Sequence, residues 1–321
     1  MQTVPRPSVE ETSWSSVHPL APSDAAFMAG LRPMVEPNKG QLQGIGARAP
    51  FDGIMGHVAA PAGVTYRADT VGGISGWWCL PADAAPGTAI LHLHGGWFNW
   101  GTAAAYRHLV GHIAARARAA AFVPDYRLAP ESPFPAGVHD VEACYRGLVA
   151  LGFGTIALCG DSAGGNLALV LLSLLASGSS SGSRVPAAAV ALSPVTDLTL
   201  RGSSIETRAA ADPYFTRSQV EGLVRAYLGD ADPSNPLASP LFGNLHGLPP
   251  VRVHVGDEEI LLEDSRRYVG RAVEAGVDAK LDVWLGMPHG FVGSVGSLAA
   301  ADQSLDAVGT FLRERAFTPT R

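Results

Sequence analysis

Short runs rich in β-branched and other apolar residues recur along the chain, at 89–93, 121–124, 155–159, 188–192, 251–255 and 281–285. Between them, apolar residues repeat at helical spacing and predict helices over about 106–118, 137–151, 164–176, 217–228, 264–275 and 301–315. Strand-length runs alternating with helices predict βαβ units, and hence an α/β fold on a mostly parallel sheet. Two earlier runs, 64–68 and 74–80, alternate in polarity and flank a glycine-containing turn. They suit a hairpin leading into that sheet.

Two regions stand outside the alternation. Residues 1–50 are rich in Pro and Gly, and within 200–245 Pro213, Pro233, Pro236 and Pro240 bracket one helix. Both read as cap segments over the carboxyl edge of the sheet, within a single domain spanning 1–321; surface decoration is the competing reading. Residues 177–183, SGSSSGS, read as a flexible loop by composition.

Composition narrows the classes of partner. With 47% hydrophobic and only 16% charged residues among 321, the chain can bury a large core. Its formal charge of -6, with no Lys/Arg-rich run, argues against a nucleic-acid or anionic-membrane surface, which needs clustered cations. A small neutral substrate fits better. Cys79, Cys144 and Cys159 lie in apolar stretches without disulfide-like spacing and read as reduced core thiols. The N-terminal MQTVPRPSVEETSW has no basic segment followed by an apolar one, so the cytoplasm is the expected location. The most apolar window, 167–176, is interrupted by Ser173 and falls short of the roughly 20 residues of a membrane span.

Within this frame one run carries chemistry. Residues 155–166, TIALCGDSAGGN, read as a strand, a G-x-S-x-G turn and a helix. A sharp strand-to-helix turn forces Ser162 into a strained conformation with its hydroxyl projecting, and glycines at 160 and 164 let the backbones approach. The helix beginning at Ala163 directs its N-terminal N–H groups at any negative charge forming there. A plain Gly-Ser-Gly turn is the bland alternative, and the flanking strand and apolar helix weigh against it.

A second run, His92-Leu93-His94-Gly95-Gly96-Trp97, closes another strand. A tetrahedral oxyanion needs preorganised N–H donors about 3 Å away, and glycines let the main chain come that close. Gly95, Gly96 and Ala163 are the candidate donors. A metal pair at His92 and His94 is the weaker reading, because no carboxylate or cysteine stands near them at ligand spacing.

Five blocks in this order resemble the hormone-sensitive-lipase-like family of bacterial esterases: HGGW at 94–97, DYRLAPESPFPAGVHD at 125–140, GDSAGGN at 160–166, LSPVTDLT at 192–199 and HG at 289–290. The resemblance spans about residues 60–315. It implies an eight-stranded α/β-hydrolase core with a helical cap, no cofactor or metal, carboxylesterase activity on short acyl chains, and a homodimer through an edge strand. One departure is visible: Trp97 stands where the family has a third glycine. Its N–H remains, while its indole and that of Trp100 are placed to narrow the pocket.

A hydrolase of this kind carries its triad in the order Ser, acid, His. Of the histidines late enough in the chain, His254 lies inside an apolar strand and His246 in the cap-like insertion, which leaves His289 in the loop GMPHGF. Asp257, Glu258, Glu259, Glu263 and Asp264 all follow one strand. Alignment with the family pattern puts Glu259 on the acid, thirty residues before His289; Asp257 is the runner-up, and Glu258 and Asp264 read as surface or helix-capping residues. Trp97, Trp100, Asp161, Tyr214 and Phe215 are candidate pocket residues, Asp161 also for holding the oxyanion loop. Glu131 and Asp140 read as loop fasteners. The expected partner is a small-molecule ester; a lactone, an amide, or a non-catalytic ligand-binding role are the alternatives.

Overall fold

Each apolar run of the sequence becomes a strand, and residues adjacent in a strand face opposite sides of the sheet. In the computed structural model, which describes residues 11–178 and 184–317, the elements in chain order are β1 (Ser15–His18), α1 (Pro22–Val35), α2 (Arg48–Met55), β2 (Val64–Val71), β3 (Ile74–Pro81), β4 (Thr88–Leu93), α3 (Ala103–Ala117), β5 (Ala120–Pro124), α4 (Ala136–Ala150), β6 (Thr155–Asp161), α5 (Ala163–Ala176), β7 (Ala189–Leu192), α6 (Ser204–Thr207), α7 (Arg217–Leu228), β8 (Val251–Gly256), α8 (Leu262–Glu274), β9 (Ala279–Trp284) and α9 (Ala299–Phe311). Of the loop expected at 177–183, only Ser177 and Gly178 are among the described residues.

The strands form one sheet in the order β1-β9-β8-β7-β6-β4-β5-β3-β2, antiparallel only where β3 meets β2 and β5. The hairpin turn is Gly72-Gly73, both at positive φ, as a two-residue hairpin requires. Among the described residues the sheet has nine strands instead of the expected eight, which corrects the strand count. The extra one, β1, lies inside the segment read as cap and pairs with β9 from Ser15↔Leu281 to His18↔Trp284. Its sequence SSVH has no apolar run to announce it. Pairing, the stack of His18 on Trp284 at 3.9 Å and the His18–Asp282 contact at 2.7 Å hold it instead.

Helices cover both faces. Leu91 and Leu93 of β4 pack into one cluster with residues of α4, α5 and α8, whereas Ile90 packs into the other with α3 and α9. Helix starts are fixed locally: Thr102 accepts the N–H of Ala105, and Thr216 with Gln219 forms a capping box at α7. Cys79, Cys144 and Cys159 are buried and free. Among the described residues no helix is long and apolar enough to cross a membrane. The strand order reverses at β4, which lies between β5 and β6. A crevice beyond the carboxyl ends of strands at such a point is where open α/β sheets bind ligands.

Candidate active site

At the end of β6 the chain turns through Ser162 at φ 53° and ψ -119°, a conformation ordinary residues avoid. Neighbouring strands hold it there: the Ser162 N–H donates to Leu192 O at 2.8 Å, and its carbonyl accepts from Asn166 and Val195. A Cβ on Gly160 would lie 2.3 Å from Gly164 O, and one on Gly164 would lie 1.9 Å from Leu93 O. A side chain at Gly164 would therefore push the elbow off β4, and one at Gly160 would push the start of α5 off the end of β6. Ser162 itself is 4% exposed and lines a cavity of about 560 Å³.

The loop after β4 runs beside the elbow. Asp161 receives the Gly95 N–H on Oδ1 at 3.2 Å and the Tyr106 hydroxyl on Oδ2 at 3.1 Å, so it ties the loop to the turn that carries Ser162. That bond corrects the expected set of oxyanion donors: the Gly95 N–H is engaged with a carboxylate and is not free for substrate. Among the described residues the N–H groups of Gly96, Trp97 and Ala163 meet no acceptor. Gly96 and Trp97 also line the cavity, at φ 115° and 51°. His94 is not arranged as a metal ligand; its Nδ1 lies 2.8 Å from Gly95 O and its ring stacks on Tyr126 at 4.3 Å. Among the described residues no cluster of three or more His, Cys, Asp or Glu is placed to hold a metal.

The loop after β8 carries the carboxylates. Glu259 is fully buried: its Oε1 accepts from Ser193 Oγ at 2.6 Å and Gly256 N–H at 2.8 Å, and its Oε2 lies 2.7 Å from His289 Nδ1. Asp257 instead accepts the Gly286 N–H at 2.6 Å and so anchors the base of the loop that bears His289. Glu258 and Asp264, expected at the surface or as caps, are both buried. Glu258 pairs with Arg32. Asp264 accepts the N–H groups of Thr196 and Asp197 and pairs with Arg267, pinning the segment after β7.

Burial by itself would lower the pKa of His289, but the charge and hydrogen bond of Glu259, with Asp212 and Asp161 nearby, outweigh it and hold the pKa above the ordinary histidine value. Buried His254, which takes the Trp284 indole N–H at 3.3 Å, has its pKa pushed down by burial. His246 is exposed.

One cavity wall thus gathers Asp161, Ser162, His289, Trp97, Trp100, Tyr214 and Phe215. Gly95, Ala163 and Glu259 are not part of that wall. Phe215 packs edge-on against both His289, at 5.2 Å between centroids, and Trp97, at 5.6 Å. Glu131 is held by Arg48, and Asp140 by Arg127, as loop fasteners. Sequence reasoning missed three residues around the site. Ser193 lies inside a block already singled out; Asp212 and Arg32 carried no motif. Leu31 and Met34 of α1, which lies in the segment read as cap, also line the cavity, as do Ile54 and Met55 of α2, just beyond that segment's expected end.

The sheet, its switch point and the serine elbow define an α/β hydrolase. A family model described as alpha/beta hydrolase fold matches residues 90–293. An acetyl-hydrolase of Streptomyces hygroscopicus is 37% identical over 261 residues, covering 81% of this chain and 85% of that protein. An esterase of Acinetobacter venetianus is 34% identical over 66% of this chain and 70% of its own length. Among solved structures, an esterase from the bacterial hormone-sensitive lipase family superposes with a TM-score of 0.83 at 35% identity, covering 93% of this chain and 99% of that one. An esterase/lipase from an uncultured bacterium gives 0.84 at 35% identity, over 92% and 99%. The chain belongs to the alpha/beta hydrolase fold family, in its hormone-sensitive-lipase-like branch of esterases.

Proposed function

We propose that this protein is a serine carboxylesterase of short-chain acyl esters in which Ser162, His289 and Glu259 form the catalytic triad. The observation that carries the reading is the buried Glu259 Oε2 to His289 Nδ1 contact at 2.7 Å, made behind the cavity wall to which His289 and Ser162 both belong. A carboxylate on Nδ1 keeps the proton on that nitrogen and leaves Nε2 as the base. Ser162 Oγ gives its proton to Nε2 and attacks the ester carbonyl. The oxyanion rests on the N–H groups of Gly96, Trp97 and Ala163, each worth on the order of 3 kcal/mol in the transition state. His289 then hands its proton to the leaving alcohol, and the same base activates water against the acyl-enzyme.

In this reading α1, α2 and the stretch 209–219 are the cap, because their side chains close the cavity over Ser162. A cavity of about 560 Å³ lined mostly by apolar side chains suits a small ester, and the name acetyl-hydrolase borne by one relative agrees with a short acyl group. The test is release of p-nitrophenol from acetyl, butyryl, octanoyl and palmitoyl esters by wild type and Ser162→Ala. Preference for the short chains, abolished by the substitution, is expected. Wild type that is folded yet inactive on all four would refute the esterase reading.

A further inference from the structure

Asp212 belongs to the strap of residues 209–215 that leads into α7, and it is 1% exposed. Its carboxylate accepts three backbone N–H groups: Tyr214 at 2.8 Å and Phe215 at 3.0 Å on Oδ1, and Ile260 at 3.0 Å on Oδ2. An aspartate shaping its own turn needs only the first two bonds. The third reaches across the fold to the residue directly after Glu259. One side chain therefore joins the segment that carries the acid to the segment that presents Phe215 to the His289 ring.

The strap is secured from the other side as well. Lys39 donates to the carbonyls of Ala209 and Asp212, and Arg32 donates to Ala211 O at 2.9 Å while pairing with Glu258. With its backbone tied at both edges, the strap has little freedom to shift Phe215 independently of the acid loop. A histidine that gives and takes protons must keep its ring within hydrogen-bond reach of its partners through the cycle, and a misplacement of 1 Å can cost about a hundredfold in rate.

We propose that Asp212 is a positioning residue: by clamping the strap to the acid loop it holds Phe215 edge-on against His289 and keeps that ring seated on Glu259. The proposal rests on the triad reading above. Three carboxylates face His289, namely Glu259 from the acid loop, Asp212 from the strap and Asp161 from the elbow; the ring of Phe215 is uncharged. The buried charge of Asp212 also favours the protonated imidazole, so its removal has a signature that loss of a purely structural bond lacks.

The experiment compares Asp212→Asn, Phe215→Leu and Ser162→Ala with wild type on p-nitrophenyl butyrate across pH, alongside thermal melts. Asp212→Asn keeps an oxygen for Tyr214 and Phe215, sets an NH2 against the Ile260 N–H and deletes the charge. In the folded variant, plateau kcat is expected to fall by about tenfold or more with KM within about threefold, and the acid limb of kcat/KM is expected to move to lower pH. Plateau kcat within about threefold of wild type, or an acid limb that stays in place, overturns the proposal. If Asp212→Asn does not fold, Phe215→Leu decides: it leaves every bond of Asp212 intact, and an undiminished kcat there overturns the proposal too. Activity surviving in Ser162→Ala would instead sink the triad reading, so the two failures are told apart.

Discussion

Glu259→Gln is the sharpest perturbation of the site, because the substituted side chain has the same shape and its orientation can be worked out. The carboxylate takes three donors in a dry pocket, two on Oε1 and the His289 Nδ1 contact on Oε2. Glutamine has one oxygen. Placing its NH2 at the Oε1 position would set donor against donor at the Gly256 N–H, a loss of about 1–3 kcal/mol in a buried site. The oxygen therefore stays with Ser193 and Gly256, and the NH2 turns to His289. That makes Nδ1 an acceptor and moves the imidazole proton to Nε2, where it blocks uptake of the Ser162 proton. The expected loss is about 10⁴ in kcat, equivalent to ~5 kcal/mol of transition-state stabilisation, with KM and the melting temperature little changed. Steady-state hydrolysis of p-nitrophenyl butyrate with parallel circular dichroism measures it. A folded variant within about tenfold of wild-type kcat, or Asp257→Asn producing the collapse instead, refutes the reasoning.

Other expectations follow from the same geometry. In the proposed triad His289 must be neutral to act as base, and its pKa is held above the usual histidine value, so the acid limb of kcat/KM should lie above about 6.5 and fall in Glu259→Gln; a limb below that value in wild type contradicts the assignment. By linkage, protonated His289 contributes stability below its unfolded pKa that is lost as pH rises through the folded one. Gly160→Ala sets a Cβ 2.3 Å from the Gly164 carbonyl. With backbone on both sides it should destabilise the fold by about 3 kcal/mol or more and abolish activity, and an active variant with a wild-type melt would disprove the packing argument. Trp100→Ala removes a buried indole that lines the cavity and donates to Gly44 O at 2.9 Å. It should cost about 3 kcal/mol, the low end for such a truncation because one face meets the cavity, and extend the acyl-chain profile to longer esters; an unchanged profile would place Trp100 outside the substrate's path.

Much of this protein is local and so was legible in the residue order. The alternation of apolar runs and helical stretches follows from side-chain periodicity within a few residues, and every interior strand arose where such a run stood. The elbow is likewise contiguous: Gly160, Ser162 and Gly164 are neighbours in sequence, so the steric need that selects them can be read without the fold. What only the tertiary structure decided are the choices made between distant segments. Five carboxylates follow β8, and residue order alone does not say which meets His289; the path of the loop sends Glu259 to Ser193 and His289, and Asp257 to Gly286. Whether the Gly95 amide faces substrate depends on Asp161 from another strand. The strand β1 exists because β9 offers it an edge, and Asp212 reaches the Ile260 N–H because the strap and the loop after β8 meet. In each case the stabilising partner is remote in sequence, and its contribution is realised only once the chain has closed the loop between them.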